Sequence, residues 1–320
     1  MENLAWQTEL FTPGAQIIPF PAKAKQQPEL TVLSFGGGQD STAILDLLVF
    51  DKGFRRRYAP GRLLVVMADT GDEHPATVAH TAYIKQFCEK HGVEFVLITP
   101  DMGFHSEKWT DLRGFYRRTN TVGSKAFPKT CTDKLKLVPI YRFLESWLGT
   151  HYGVQVGRKK GFREFVEAYG KIRVLIGIAK GEEKRMAAPG MDAQPWKRDC
   201  IETEYPLVDR GMDRQACQDY IRSVGEPVPF PSNCILCPFM NEIEMLWLYR
   251  FMHADYLDWV EIERNKLEAN RHMGEKNLGV WGKKTLPEKM AEVLTKHGHM
   301  SDEELNTYKM SHGHCVMSKY

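Results

Sequence analysis

At 320 residues with 42% hydrophobic content, the chain can bury a full core and suits one large α/β unit with a smaller appended region. Its 43 Lys and Arg against 41 Asp and Glu leave a net charge of +2, which excludes coating of nucleic acid by bulk charge and leaves polyanion contacts to local patches. No apolar run reaches the ~20 residues of a membrane helix, and Met1–Phe11 lacks a charged segment followed by an apolar one, so the expectation is a soluble, cytoplasmic protein with no membrane partner.

Residues 1–29 are interrupted by Pro13, Pro19, Pro21 and Pro28 and read as an irregular arm. From Leu30 onward, apolar runs alternate with helix-period segments. Leu30–Leu33, Leu63–Met67, Phe95–Ile98 and Val174–Ile178 are predicted as buried strands, with helices predicted over Thr42–Phe50 and Pro75–Lys90. This rhythm predicts an α/β fold with a doubly wound, mostly parallel, Rossmann-like sheet whose ligand sits at the carboxyl ends of the strands. Residues 104–170 are longer and richer in Arg, Lys, Tyr and Trp than a crossover requires, and read as an insertion on the substrate side, with helices over Leu137–Leu148 and Phe162–Tyr169. Beyond Pro206 the pattern is mostly helical, strongest over Arg214–Val224 and Glu242–Leu267, followed by a Gly- and Lys-punctuated tail. Basic clusters occur at Arg55 to Arg57, at Arg117 and Arg118, and at Arg158 to Lys160; any one of them is more often a solvated face than a binding patch.

The stretch Leu33-Ser34-Phe35-Gly36-Gly37-Gly38-Gln39-Asp40-Ser41-Thr42 follows a predicted strand and opens a predicted helix. Backbone N–H groups and the helix dipole can hold phosphate at such a place, and Ser41 and Thr42 add hydroxyls. Three glycines there also suit a plain tight turn. The loop lacks the Gly-Lys-Ser/Thr end of a Walker-type loop, which disfavours kinase-like handling of the β and γ phosphates. It resembles the Ser-Gly-Gly-x-Asp-Ser loop of the PP-loop ATP pyrophosphatases, with Gly37, Gly38, Asp40 and Ser41 in register. Gly36 replaces the family's first Ser, whose hydroxyl Ser34 would have to supply. The resemblance implies an adenine nucleotide alpha hydrolase-like fold, ATP and Mg²⁺ as cofactors, a nucleotide site running from Ser34 to Thr42, and catalytic roles for Asp40 and Ser41.

Ala68-Asp69-Thr70-Gly71-Asp72-Glu73-His74-Pro75-Ala76-Thr77 narrows the resemblance to the phosphoadenosine phosphosulfate (PAPS) reductase-like branch. Asp69 and Thr70 are then expected beside the glycine loop as ATP-binding residues that touch ribose, adenine or Mg²⁺, while Asp72 has the alternative of capping the helix at Pro75. The segments Gly177-Ile178-Ala179-Lys180-Gly181-Glu182-Glu183-Lys184-Arg185 and Tyr205-Pro206-Leu207-Val208-Asp209 are similar to the same branch in the same order. They imply a nucleotide contact at Gly177 and phosphate-facing, catalytic Lys180 and Arg185. Ala179 stands where the family has Arg, and a solvated turn is the competing reading. With these segments placed, the expected organisation is an arm over 1–29, a nucleotide-binding domain over 30–210, and a helical cysteine-containing region over 211–320.

The seven cysteines are odd in number and read as metal ligands or reactive thiols rather than a disulfide framework. Cys234-Ile235-Leu236-Cys237 is a Cys-x-x-Cys pair that by spacing alone fits zinc, iron–sulfur or redox chemistry. Cys131, in Lys129 to Pro139, resembles the upstream cysteine of cluster-bearing members of the branch. That resemblance implies a [4Fe–4S] cluster on Cys131, Cys234, Cys237 and Cys315, with Cys200 in reserve for the fourth place. Cys315, on the Gly313-His314-Cys315 tail, has a persulfide carrier as its rival role. Cys88 and Cys217 fall in helix-like apolar patterns and read as core, and the eleven histidines show no ligand spacing.

Ser232 to Met240 and the Trp-, Tyr- and acid-rich helix after it look most like the DndC/SspD family of DNA phosphorothioation. This implies adenylation of a DNA phosphate oxygen, its replacement by sulfur, and DNA, a cysteine desulfurase and other phosphorothioation proteins as partners. PAPS reduction, thiolation of a tRNA base and a nucleotide-sensing scaffold are the alternatives.

Overall fold

The computed structural model describes residues 27–186 and 194–312. Five strands, β1 (Leu30–Ser34), β2 (Arg62–Ala68), β3 (Glu94–Ile98), β4 (Ile172–Ile176) and β5 (Ile201–Glu204), form one sheet in the order β3-β2-β1-β4-β5. Every neighbouring pair is parallel, with Thr31 of β1 opposite Leu63 on one side and Arg173 on the other. Helices fill the connections: α1 (Gln39–Phe50), α2 (Lys52–Tyr58), α3 (Pro75–Lys90), α4 (Leu112–Thr119), α5 (Val138–Tyr152), α6 (Lys160–Tyr169) and α7 (Pro195–Cys200). Further helices follow the last strand: α8 (Pro206–Asp209), α9 (Arg214–Ser223), α10 (Glu242–Phe251), α11 (His253–Ala269), α12 (Leu286–His297) and α13 (Asp302–Ser311). The doubly wound sheet expected from the alternating runs is therefore present.

The apolar runs behave as a two-faced parallel sheet requires, because side chains alternate between faces. Leu30 and Val32 enter one layer with Phe143, Leu144 and Trp147 of α5 and with Phe162 and Phe165 of α6. Leu33 enters the other with Ile44, Leu45 and Leu48 of α1, Phe87 and Cys88 of α3, and Cys217 and Ile221 of α9. A third core gathers α10 to α13 around the fully buried Trp259 and packs against Leu112 and Tyr116 of α4.

Several sequence expectations shift. β4 covers Ile172–Ile176 rather than Val174–Ile178, so Gly177 lies just past the strand. β5, Ile-Glu-Thr-Glu, lies at the sheet edge and has no apolar run to reveal it. The segment expected as one helix over Glu242–Leu267 is broken at Met252, whose φ of −136° and ψ of 52° are non-helical. The punctuated tail contains α12 and α13, each opened by a reciprocal capping box, Thr285 with Glu288 and Ser301 with Glu304. Among the described residues no helix is long and apolar enough to cross a membrane.

The helical region carries its own pH signature. Hydrogen bonds from Lys289 and Lys296 hold the Glu242 carboxyl down at about 2, below its ordinary 4.5, and His297 adds to them. A depressed carboxyl contributes stability that is present above pH 4.5 and lost as pH falls toward 2. Glu242→Gln is expected to cost about 1 kcal/mol near neutrality, allowing for solvent screening, and nothing at pH 2. Urea melts at pH 6 and pH 2 check this, and an equal cost at both would refute it.

Candidate active site

The strand order reverses between β1 and β4, and the crevice outside their carboxyl ends is where an open α/β sheet binds ligands. A cleft lies there, with about 890 Å³ of empty space partly continuous with solvent. Ser34, Phe35, Gly36, Gly38, Gln39, Asp40 and Ser41 line one wall, Gly177 and Arg185 another, and Arg214, Lys136 and Ser232 complete it.

The loop is shaped by its own polar groups. Gly37 has φ +72°, and an added Cβ would come within 2.8 Å of the Thr77 Cγ2, so glycine is required there. The Gly36 N–H donates to Ser41 Oγ (3.2 Å), and the Ser41 and Thr42 hydroxyls both donate to the Gly38 carbonyl (3.1 and 2.9 Å). Since the Thr42 proton is used there, the contact with His80 Nε2 at 3.0 Å is donated by the ring. Burial lowers His80 to about 4, so the imidazole is neutral at physiological pH. Gln39, whose chain lines the cleft, spends its amide on structure: Nε2 donates to the carbonyls of Pro229 and Met310, and Oε1 accepts from Gln218. Gly38 caps α1 without a side-chain bond, leaving the first-turn N–H groups of Gln39, Asp40 and Ser41 before the Thr42 N–H closes on Gly38 O at 3.0 Å.

Asp40 is the charged centre of the cleft. Its Oδ1 is buried without a hydrogen-bond partner among the described residues, and Oδ2 is 3.9 Å from the Arg214 guanidinium. Burial raises its pKa, the Glu182 carboxylate adds to that, and Arg214 and Arg185 oppose it. Glu182 holds both arginines, Arg214 at 2.8 Å and Arg185 on its other oxygen. Gly177 allows the close approach of β4 to α1: a Cβ there would lie 2.9 Å from the Ser41 nitrogen and 3.1 Å from the Asp40 carbonyl carbon. These are backbone atoms that cannot swing aside, so Gly177→Ala is expected to displace the first turn of α1 and cost about 1–3 kcal/mol of stability. A thermal melt tests this, and wild-type stability would refute it.

The expected site residues do not all meet. Ser34 to Gly36, Gly38 to Ser41, Gly177 and Arg185 line the cleft; Gly37 is outside the lining, and Thr42 is buried. Lys180 is exposed and outside the lining, and Arg214 stands in the cleft instead. Asp69 and Thr70 are also outside the lining; the Asp69 carboxylate accepts from the Gly71 N–H at 2.8 Å. Asp72 does not cap α3, a role taken by His74 Nδ1, which accepts from the Ala76 N–H. Arg214 and Lys136 were not foreseen. Lys136 lies in a segment whose one sequence signal is Cys131, and Arg214 opens a helix marked in the sequence by its apolar period alone.

Lys136 also stands on the wall of a second, smaller pocket lined by Thr70, Cys131, Asn233, Cys234 and Cys237. Three of the four expected metal ligands thus share one pocket; the fourth, Cys315, lies outside the described residues. Cys200, the reserve candidate, is fully buried against the sheet in the first core layer and away from this pocket. Cys88 and Cys217 are core, as expected. The Thr70 hydroxyl donates to Glu73 and is 3.4 Å from the Cys234 sulfur. Burial pushes the Cys234 thiol well up, Glu73 reinforces this, and Lys136 opposes it. Among the described residues no three His, Cys, Asp or Glu side chains are gathered as ligands of one metal ion.

No protein-family model matches the chain, and no curated protein matches it in sequence. Among solved structures it is similar to phosphoadenylyl-sulfate (PAPS) reductase from Candida auris in its phosphate complex, at 16% identity over 63% of this chain and 75% of that one, with a TM-score of 0.34. It is also similar to the U34-tRNA thiolase NcsA from Methanococcus maripaludis with its [4Fe–4S] cluster, at 13% identity over 92% of this chain and 82% of that one, with a TM-score of 0.36.

Proposed function

We propose that the chain is an ATP pyrophosphatase that adenylates an oxygen of its substrate so that sulfur can replace it. The observation that carries this reading is the convergence, at the switch point of the sheet, of an uncapped helix N-terminus, the unpartnered Asp40 oxygen and the cations Arg185, Arg214 and Lys136. The loop has no lysine at its end, so its grip suits a departing pyrophosphate rather than a transferred γ phosphate. A substrate oxygen attacks the α phosphorus, pyrophosphate leaves into the loop, and a sulfur nucleophile then displaces AMP. Mg²⁺ held by Asp40 would neutralise the pyrophosphate. Arg185 and Arg214, held by Glu182, meet the charge that grows on the leaving group.

The cysteine pocket suits a thiolate-bound group. A single zinc ion needs its sulfurs ~2.3 Å from one point, whereas a cluster takes one cysteine per iron and so spreads its ligands. The three thiols that line one pocket suit either in kind, and the sequence resemblance favours the cluster. A [4Fe–4S] cluster on Cys131, Cys234 and Cys237 would supply a place for sulfur beside the activated oxygen. The sequence resemblance makes a DNA backbone phosphate the first candidate for that oxygen, with a cysteine desulfurase as sulfur source. PAPS reduction would leave the ATP-type loop without a reaction to drive.

Anaerobically purified protein given ATP and Mg²⁺ is expected to produce AMP and pyrophosphate in equal amounts. ADP and phosphate, or no cleavage with any nucleic acid present, would overturn the reading.

A further inference from the structure

The cleft and the cysteine pocket belong to a longer row of cavities. Cys131, Lys129 and Pro238 line both the cysteine pocket and a larger cavity that also takes in Trp109, Phe127 and Phe239. Trp109 in turn lines an open groove together with Lys108, Lys134 and Arg142. Phosphate chemistry, sulfur chemistry, flat aromatic surface and positive charge thus follow one another along one path.

We infer that the outer half of this row is a nucleic-acid interface: the groove takes the backbone phosphates of a strand, and the aromatic cavity takes one unpaired base. This rests on the adenylation reading for what happens to the strand, although strand binding itself requires no ATP.

Three observations favour this occupant. The groove's cations carry little opposing charge: Arg142 donates to the Phe104 carbonyl (3.3 Å) but, like Lys108, forms no ion pair among the described residues, and Lys134 pairs only with its neighbour Asp133. His105 and one carboxylate, Glu107, are the other titratable groups of its lining. By contrast, Arg117 and Arg118 are committed to Asp258 and Asp111. The cavity has a volume of about 350 Å³, at the lower end of the ~300–1,000 Å³ of small-molecule sites, and its wall is aromatic. Phe127 stands at it with 55% of its surface exposed, a costly placement for a core residue and a useful one for stacking. A base held in a duplex could not enter such a cavity, because its faces are already stacked. An apolar peptide would find no use for the three cations.

The test is fluorescence anisotropy on the full chain with labelled hexanucleotides: single-stranded DNA, single-stranded RNA, their duplexes, and a strand of abasic nucleotides. Single strands are expected to bind with a steep salt dependence, and the abasic strand about tenfold more weakly. The DNA and RNA arms then identify the sugar. Phe127→Ala should weaken the base-bearing strands by a similar factor and leave the abasic strand unchanged, while Lys108→Glu with Arg142→Glu should weaken all of them and flatten the salt slope. Duplex bound as tightly as single strand, or Phe127→Ala without effect on base-bearing strands, overturns the interface. Strand binding without ATP cleavage would overturn the adenylation reading alone, and cleavage without strand binding would overturn the interface alone.

Discussion

Asp40→Asn is expected to lower pyrophosphate release about a thousandfold in kcat, while raising the thermal stability of the ligand-free protein. The two effects share one cause. The Asp40 carboxylate is partly buried, its Oδ1 lacks a partner among the described residues, and desolvation outweighs Arg214 and Arg185 in setting its pKa above the ordinary range. A carboxyl whose folded pKa is raised costs stability, which is lost as pH rises from the ordinary 3.8 toward the shifted value, and the asparagine carries no such charge. What the charge offers in return is a place for a divalent cation and its pyrophosphate, which a neutral amide holds poorly. Melting curves with and without Mg²⁺, beside a release assay, separate the outcomes. Added Mg²⁺ should stabilise the wild type and leave Asp40→Asn unmoved. A variant that keeps activity, or that loses stability along with it, would remove Asp40 from the mechanism and leave it as an ordinary charge of the loop.

The parts of this fold that could be read in the sequence are those dictated by local chemistry. Leu30–Ser34, Arg62–Ala68 and Glu94–Ile98 are strand-length apolar runs because both faces of the sheet are covered, and the glycine loop follows the first of them directly. β5 was illegible because Glu202 and Glu204, which pair with Arg173 of β4, leave it no apolar run, whereas β3 at the opposite edge keeps one. The break at Met252 has neither Pro nor Gly to announce it, and it arises from packing. The capping boxes of α12 and α13, in contrast, stand in the sequence as Thr285-Leu286-Pro287-Glu288 and Ser301-Asp302-Glu303-Glu304.

The same division holds at the site. Residues contiguous with the loop were placed from the sequence, whereas Arg214 and Lys136 reach the cleft from elements far along the chain, and no spacing rule joins them to Asp40. The basic groove shows the point most clearly. Lys108, Lys134 and Arg142 form no run, while the visible runs prove to be largely committed locally: Arg117 to Asp258, Arg118 to Asp111, and Lys159 to Glu145. A charge run in sequence reports neighbours along the chain; a binding patch depends on neighbours in space.

The loop joining Pro231 to Met240 couples the two pockets, since Ser232 lines the cleft while Cys234 and Cys237 line the cysteine pocket. Asp72 holds that loop in place. Its carbonyl accepts from the Ile235 N–H (2.8 Å), its Oδ2 from the Leu236 N–H (2.9 Å), and its Oδ1 from Arg113 (2.8 and 3.0 Å). Arg113 extends the network to Asp255 and Asp258 of α11. With the Asp72 side chain 1% exposed, Asp72→Ala leaves a buried N–H unpaired between the two cysteines and is expected to cost about 3–5 kcal/mol. Asp72→Asn keeps an acceptor for Leu236 and should cost less. Burial pushes the Asp72 carboxyl up to about 6 from its ordinary 3.8, against the pull of Arg113. The wild type should therefore lose stability as pH rises from about 4 to 6, and Asp72→Asn should not show that fall. Urea unfolding at pH 4 and pH 7, with alkylation rates at Cys234 and Cys237, tests both consequences. Faster alkylation in Asp72→Ala alone would mean that the carboxylate fixes the cysteine loop, whereas unchanged alkylation beside a large stability loss would confine its role to joining α4 and α11.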